Sequence, residues 1–197
     1  MQRVPEERTT QARWALHPRL IAVVGVMTAV VFVATRLIQV PIPGGYVHLG
    51  DSMIYFSAFT FGPLTGGIAG AFGATLADLT SGYANYAPAT FIIHGAEGVL
   101  AGLIAWRAGV WRMIAAAIVG GLVIVGGYFL YDFFVLRIGS GAAVTDLWFN
   151  VGQAVSGGII GTILAAAVRL AYPPATMWTV QQRWREQSSS EPRSSTR

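Results

Sequence analysis

Residues 20–38 form an apolar run of 19 with a single charge, Arg36, near its end. As a helix the run is roughly 28 Å long, about the hydrocarbon thickness of a bilayer. It is longer than the apolar core of a secretory signal, and no small-x-small cleavage pattern follows, so it reads as an uncleaved helix. Residues 89–106, 111–136 and 147–172 are also long enough to span. Only 11% of the chain is charged, against about 25% in a soluble domain. The fold class expected is an all-α integral membrane protein.

Residues 52–81 are apolar but broken by Gly62-Pro63 and Gly66-Gly67. They form either one kinked helix or two short ones, and the arginines decide. With six spans and the N-terminus inside, 11 of the 13 basic residues fall on the inner side, Arg36 lies within a helix and only Arg137 lies outside. With five spans the split is 5 inside against 7 outside. The positive-inside bias therefore favours a compact six-transmembrane-helix bundle with short helices 2 and 3 and both termini cytoplasmic. The spans expected are 20–38, 52–62, 66–81, 89–106, 111–136 and 147–172. Residues 1–19 read as a cytoplasmic polar tail. Residues 173–197 read as an interfacial and disordered tail, with Trp178 and Trp184 beside Arg183 and Arg185 as an anchor.

Composition removes several functions. All basic residues are Arg, and there is no Lys or Cys. Disulfides, thiolate metal sites, Schiff-base lysines and a lysine-containing ATP loop are thereby excluded. The arginines are too scattered for a nucleic-acid-binding face, so no nucleic-acid partner is expected. His48 and His94 lie on different segments and His17 lies in the tail, so neither a metal centre nor a cofactor is expected. No Ser nucleophile has an evident partner, which leaves no catalytic residue to name.

The polar residues concentrate toward the outer side. Outward connections, at 39–51, 82–87 and 137–146, carry Tyr46, His48, Asp51, Tyr83, Asn85, Tyr86 and Asp146. In the outer halves of the helices, His94 and Glu97 are one turn apart, Tyr128, Tyr131 and Asp132 share a face, and so do Asn150 and Gln153. Ionisable groups at such depth face a bundle interior or a wet cavity. Four helices thus aim hydrogen-bonding groups at one outward-opening pocket. Each group also has a structural reading. Asn150 and Gln153 can tie helices together, His94 can pair with Glu97, and Asp51 fits an N-cap of helix 2. Asp78 and Asp132 can pair with Arg36 or Arg137 at the rim. Glu97, flanked by Gly95 and Gly98, is the hardest to assign to structure alone.

Small residues mark close helix approach: Gly66, Gly70 and Ala74 on helix 3, Gly157 and Gly161 on helix 6, and Ala22, Gly25 and Ala29 on helix 1. The helix 1 face suits either internal packing or docking to another membrane protein.

Residues 41–51, PIPGGYVHLGD, followed by FGPLTGGIAGAFGATLADLTSGYANYAPATFIIHGAEGVLAG at 61–102, resemble the substrate-binding S component of an energy-coupling factor (ECF) vitamin transporter. The closest resemblance is to the riboflavin-transporter-type S component family, over about residues 20–172. It implies a six-helix subunit of a bacterial or archaeal cell membrane that binds a vitamin or precursor from outside. The partners implied are a transmembrane T component and two cytoplasmic ATPase subunits. The resemblance makes residues 40–51 a lid and assigns most substrate contacts to helices 4 to 6, matching Glu97, Tyr128, Asp132, Asn150 and Gln153; the polar pattern of the outer side adds His94, Tyr46, His48 and Tyr86 as candidate substrate contacts. The resemblance also makes Ala22, Gly25 and Ala29 the docking face for the T component. Position 94 departs from the pattern, carrying His where many relatives would carry Lys. The alternatives are a stand-alone secondary transporter or channel, or an intramembrane enzyme. A net acidic outer half favours a cationic or donor-rich ligand, such as a thiamine-like or pyrimidine-type compound, while riboflavin could use the tyrosines.

Overall fold

Gly62 is the entire connection between two helices, and its backbone explains why the apolar stretch 52–81 folds back on itself. Its φ of 98° lies in the region open to glycine, and Pro63 then opens the next helix, where its missing N–H costs nothing. The computed structural model describes residues 18–178, and contains six helices: α1 (Pro18–Leu37), α2 (Gly50–Phe61), α3 (Pro63–Ser81), α4 (Ala87–Ala105), α5 (Val110–Leu130) and α6 (Ser140–Ala171). A π-helical turn, Tyr131–Leu136, prolongs α5, and a 3-10 turn, Pro173–Met177, follows α6. Between α1 and α2 two short strands, β1 (Gln39–Pro41) and β2 (Tyr46–His48), pair antiparallel with Val40 opposite Val47. The expected tails lie outside the described residues up to 17 and from 179.

Helix α2 is the short one, with 12 residues. It tolerates this because ten of them are buried among α1, α3, α4 and α6, so protein rather than lipid surrounds its ends. Helix α3 differs from expectation: it starts at Pro63 and runs for 19 residues, since Gly66-Gly67 continues the helix instead of ending it. Helix α6 also differs. It begins at Ser140 and has 32 residues, so most of the expected outer connection 137–146 is helical. At helical rise α6 is roughly 48 Å long, longer than the roughly 30 Å hydrocarbon layer is thick. By length and composition α1, α4, the continuous segment Val110–Leu136 and α6 can each cross a membrane.

The closest packing joins α3 to α4, and glycines make it possible. Cβ atoms built at Gly98 and Gly102 would lie 2.8 Å from the Gly67 nitrogen and 2.5 Å from the Pro63 nitrogen. These are backbone atoms that cannot yield. Around this seam Tyr55, Phe59 and Met113 form the largest apolar cluster. At the end of the bundle opposite the hairpin, Arg169 donates to the carbonyls of Phe59, Ala105 and Ala108. It thus supplies donors to the ends of α2 and α4, where helical carbonyls lack partners.

Gly98→Val should destabilise the bundle by about 1–3 kcal/mol through overpacking. A lowered thermal midpoint of the detergent-solubilised protein is the expected reading, with Gly25→Ala, a position with open space around it, unchanged.

Candidate substrate-binding site

The hairpin lies across one end of the bundle because three of its atoms are bonded to distant helices. Tyr46 donates its hydroxyl to Asp78 Oδ1 on α3 at 2.5 Å. The Gly44 N–H donates to Asp146 Oδ2 on α6 at 2.7 Å. The His48 N–H donates to Gln153 Oε1, also on α6, at 2.8 Å. Glycine is required at position 44, where a Cβ would strike the Asp146 carboxylate and lie 2.7 Å from the Tyr86 hydroxyl.

Beneath the hairpin is a small cavity of about 30 Å³. Its wall holds Tyr46, Tyr86 and Tyr128, the carboxylates of Asp78, Asp132 and Asp146, and the amides of Asn150 and Gln153, with no arginine. Tyr86 donates to Asp132 Oδ1 at 2.6 Å, and the π-helical turn begins at Tyr131, immediately before this carboxylate. Thr90 and Tyr128 share a hydrogen bond of 2.9 Å. Burial, then the charge of Asp78, pushes the Tyr46 phenol up, and burial, then the bond to Asp132, does the same for Tyr86. Both phenols therefore remain donors. Asn150 is buried and faces the cavity without a side-chain hydrogen bond to another described residue.

A second polar layer forms the floor. His48, Asp51, His94 and Glu97 are all buried. His94 Nδ1 is 2.9 Å from Glu97 Oε2 and 3.6 Å from Asp51 Oδ1. Gln153 donates its amide to both oxygens of Asp51, at 3.1 and 3.3 Å. His48 Nδ1 accepts the Gly50 N–H at 3.1 Å. Burial, then the charge of His94, lowers the pKa of His48 well below the ordinary imidazole value, so the ring is neutral.

Of the residues expected at the site, Tyr46, His48, Tyr86, Tyr128, Asp132, Asn150 and Gln153 line the cavity. Glu97 and His94 do not; they sit in the floor as each other's partners. Asp51 is not the N-cap of α2, since Leu49 holds that position and the Asp51 carboxylate turns to Gln153. Asp78 and Asp132 pair with tyrosines instead of Arg36 or Arg137. The hairpin also overturns the separation of His48 and His94, placing their ring centroids 5.4 Å apart. Sequence reading counts Asp78 and Asp146 among the acidic groups of the outer half but names neither them nor Thr90 as site residues. Thr90 was findable, because 90, 94 and 97 follow one helical stripe. Asp146 was not, because its place on a helix depended on where α6 starts.

A membrane bundle closing a polar cavity under a hairpin is the architecture of a substrate-binding membrane subunit. Residues 15–170 match the family described as ECF-type riboflavin transporter, S component, and the chain belongs to that family. It is similar to the thiamine precursor transporter HmpT of Lactococcus lactis, with 36% identity over 75% of this chain and 86% of that protein. It is also similar to an uncharacterized protein of Pyrococcus woesei, with 41% identity over 66% of this chain and 88% of the other. The solved structure of FolT bound with folic acid shares the fold, with a TM-score of 0.61 at 20% identity, covering 77% of this chain and 95% of FolT. The chain is accordingly a multi-pass cell-membrane protein and the substrate-binding subunit of a vitamin or vitamin-precursor uptake transporter.

Tyr46→Phe should leave the buried Asp78 carboxylate without its phenol, a loss of about 1–3 kcal/mol. Amide hydrogen exchange of residues 39–48 should rise while that of α4 and α5 stays unchanged.

Proposed function

We propose that this subunit captures the aminopyrimidine precursor of thiamine from the outer side of the membrane. The observation that carries the reading is a cavity wall with no arginine among the described residues, where the Asn150 amide and one oxygen each of Asp78, Asp132 and Asp146 lie outside the bonds to the hairpin and Tyr86. A ring with an exocyclic amino group offers donors to such a wall and a ring nitrogen to the Asn150 amide. The tyrosines supply aromatic surface for its faces. The name of the Lactococcus relative, a thiamine precursor transporter, supports the same choice.

The hairpin end is the outer face in this reading, and both termini are cytoplasmic, as the arginine distribution favours. Substrate enters when the hairpin lifts and is enclosed when the Tyr46, Gly44 and His48 bonds re-form. Energy comes from a transmembrane T component and two cytoplasmic ATPase subunits, since this chain contains no Lys for an ATP loop. Docking uses Ala22, Gly25 and Ala29 on α1. All three are exposed, and a Cβ at Gly25 would meet nothing within 4 Å, so another helix can approach closely there. The subunit performs no chemistry on its ligand.

Isothermal titration of the purified protein should show submicromolar binding of the hydroxymethyl-aminopyrimidine and none of riboflavin or folate. Asn150→Leu should weaken that binding on the order of 10-fold or more, the equivalent of one buried hydrogen bond. Preferential binding of riboflavin would overturn the substrate assignment.

A further inference from the structure

The floor beneath the cavity has a composition that enclosing a vitamin does not call for. Two imidazoles and two carboxylates, all buried, meet there from three elements: His48 from the hairpin, Asp51 from α2, and His94 and Glu97 from α4. The carboxylates face imidazoles, with no arginine to balance them. Buried anions are costly unless paired with a cation and fully hydrogen-bonded, and this pairing is incomplete. Among the described residues no hydrogen bond reaches the buried His94 Nε2.

We propose that His48, Asp51, His94 and Glu97 form a binding site for a divalent transition metal of the zinc class. One ligand atom from each of His48, Asp51 and His94 lies within 4.8 Å of the others. Asp51 Oδ1 is the shared vertex, 3.8 Å from His48 Nδ1 and 3.6 Å from His94 Nδ1. Four-coordinate zinc with bonds of about 2.0–2.1 Å holds neighbouring ligand atoms roughly 3.3 Å apart, so small side-chain rotations close the site. Glu97 Oε2, already 2.9 Å from His94 Nδ1, supplies the fourth ligand. Binding replaces the His94–Glu97 hydrogen bond and the Gly50 N–H bond to His48 with bonds to one cation.

Two nitrogens with two oxygens select zinc, cobalt or nickel over magnesium and calcium, which take six or more oxygens. The spacing is repeated, His48-x-x-Asp51 across the junction of β2 with α2 and His94-x-x-Glu97 one turn apart on α4. Gln153 orients Asp51 from outside the site, as outer-shell partners of metal ligands do. The ion would tie the hairpin to α2 and α4 from below. This inference stands apart from the vitamin assignment, and its test contains no vitamin.

Protein purified through a tag without histidine and stripped with a chelator is titrated with Co²⁺. The expected result is a saturable visible band of four-coordinate cobalt that Zn²⁺ abolishes. Asp51→Asn and His94→Gln should each weaken Co²⁺ binding on the order of 10-fold or more, and His17→Gln should keep the band. Because a floor variant can fail to fold, the thermal midpoint of the wild-type protein is measured with and without Zn²⁺, and a rise is expected. Absence of the cobalt band, a band unchanged in His94→Gln or lost in His17→Gln, or no rise with saturating Zn²⁺ would overturn the proposal.

Discussion

A carboxylate withdrawn from water inside a bundle must find a donor or a cation, and at the hairpin end arginine does not provide it. Asp51, Asp78, Asp132 and Asp146 are bonded instead to the Gln153 amide, the Tyr46 phenol, the Tyr86 phenol and the Gly44 N–H. Each bond joins segments distant in sequence, 102 residues apart for Gly44 with Asp146 and for Asp51 with Gln153. The desolvation penalty is what makes these links firm, because losing a donor strands an anion in a poor solvent. The same penalty shapes the cavity. A wall already rich in acceptors and poor in fixed positive charge receives a donor-bearing ring more readily than an anion.

The opposite end is built by another rule. There the difficulty is the unpaired carbonyls at the ends of α2 and α4, and one guanidinium on α6 serves both helices. Between the two ends, the α3–α4 seam relies on the absence of side chains, with Gly98 and Gly102 against the backbone of Gly66, Gly67 and Pro63. Lipid supplies no hydrophobic drive for helices to associate, so contact distance matters more than apolar area.

The six helices were legible because arginine placement and apolar runs are one-dimensional signals. The joint at Gly62 was legible as a break, but the length of α3 was not, since Gly66-Gly67 serves helix packing and looks in sequence like an interruption. The cavity wall was mostly readable from polar residues in the outer helix halves. Its pairings were not. Rim arginines seemed the natural partners of Asp78 and Asp132, whereas the fold brings neutral phenols from the hairpin and from the residue preceding α4. The meeting of His48 with His94 was invisible for the same reason: it depends on how far the hairpin folds inward over α2, which no local pattern encodes. The assignment of Glu97 to the ligand followed from the resemblance and from the open space that Gly95 and Gly98 suggest, whereas α3 fills the space beside those glycines and Glu97 pairs with His94 in the floor.

The single-residue joint at Gly62 has a mechanical consequence. With no loop between them, α2 and α3 behave as two arms hinged at the far end, their free tips at the hairpin. One tip carries Asp51 next to Gly50, which bonds His48; the other carries Asp78, which holds Tyr46. Only one residue separates Tyr46 from His48, so the short strand β2 is a brace of fixed length between the tips. The spread of the two arms is set by that brace whenever the hairpin is seated.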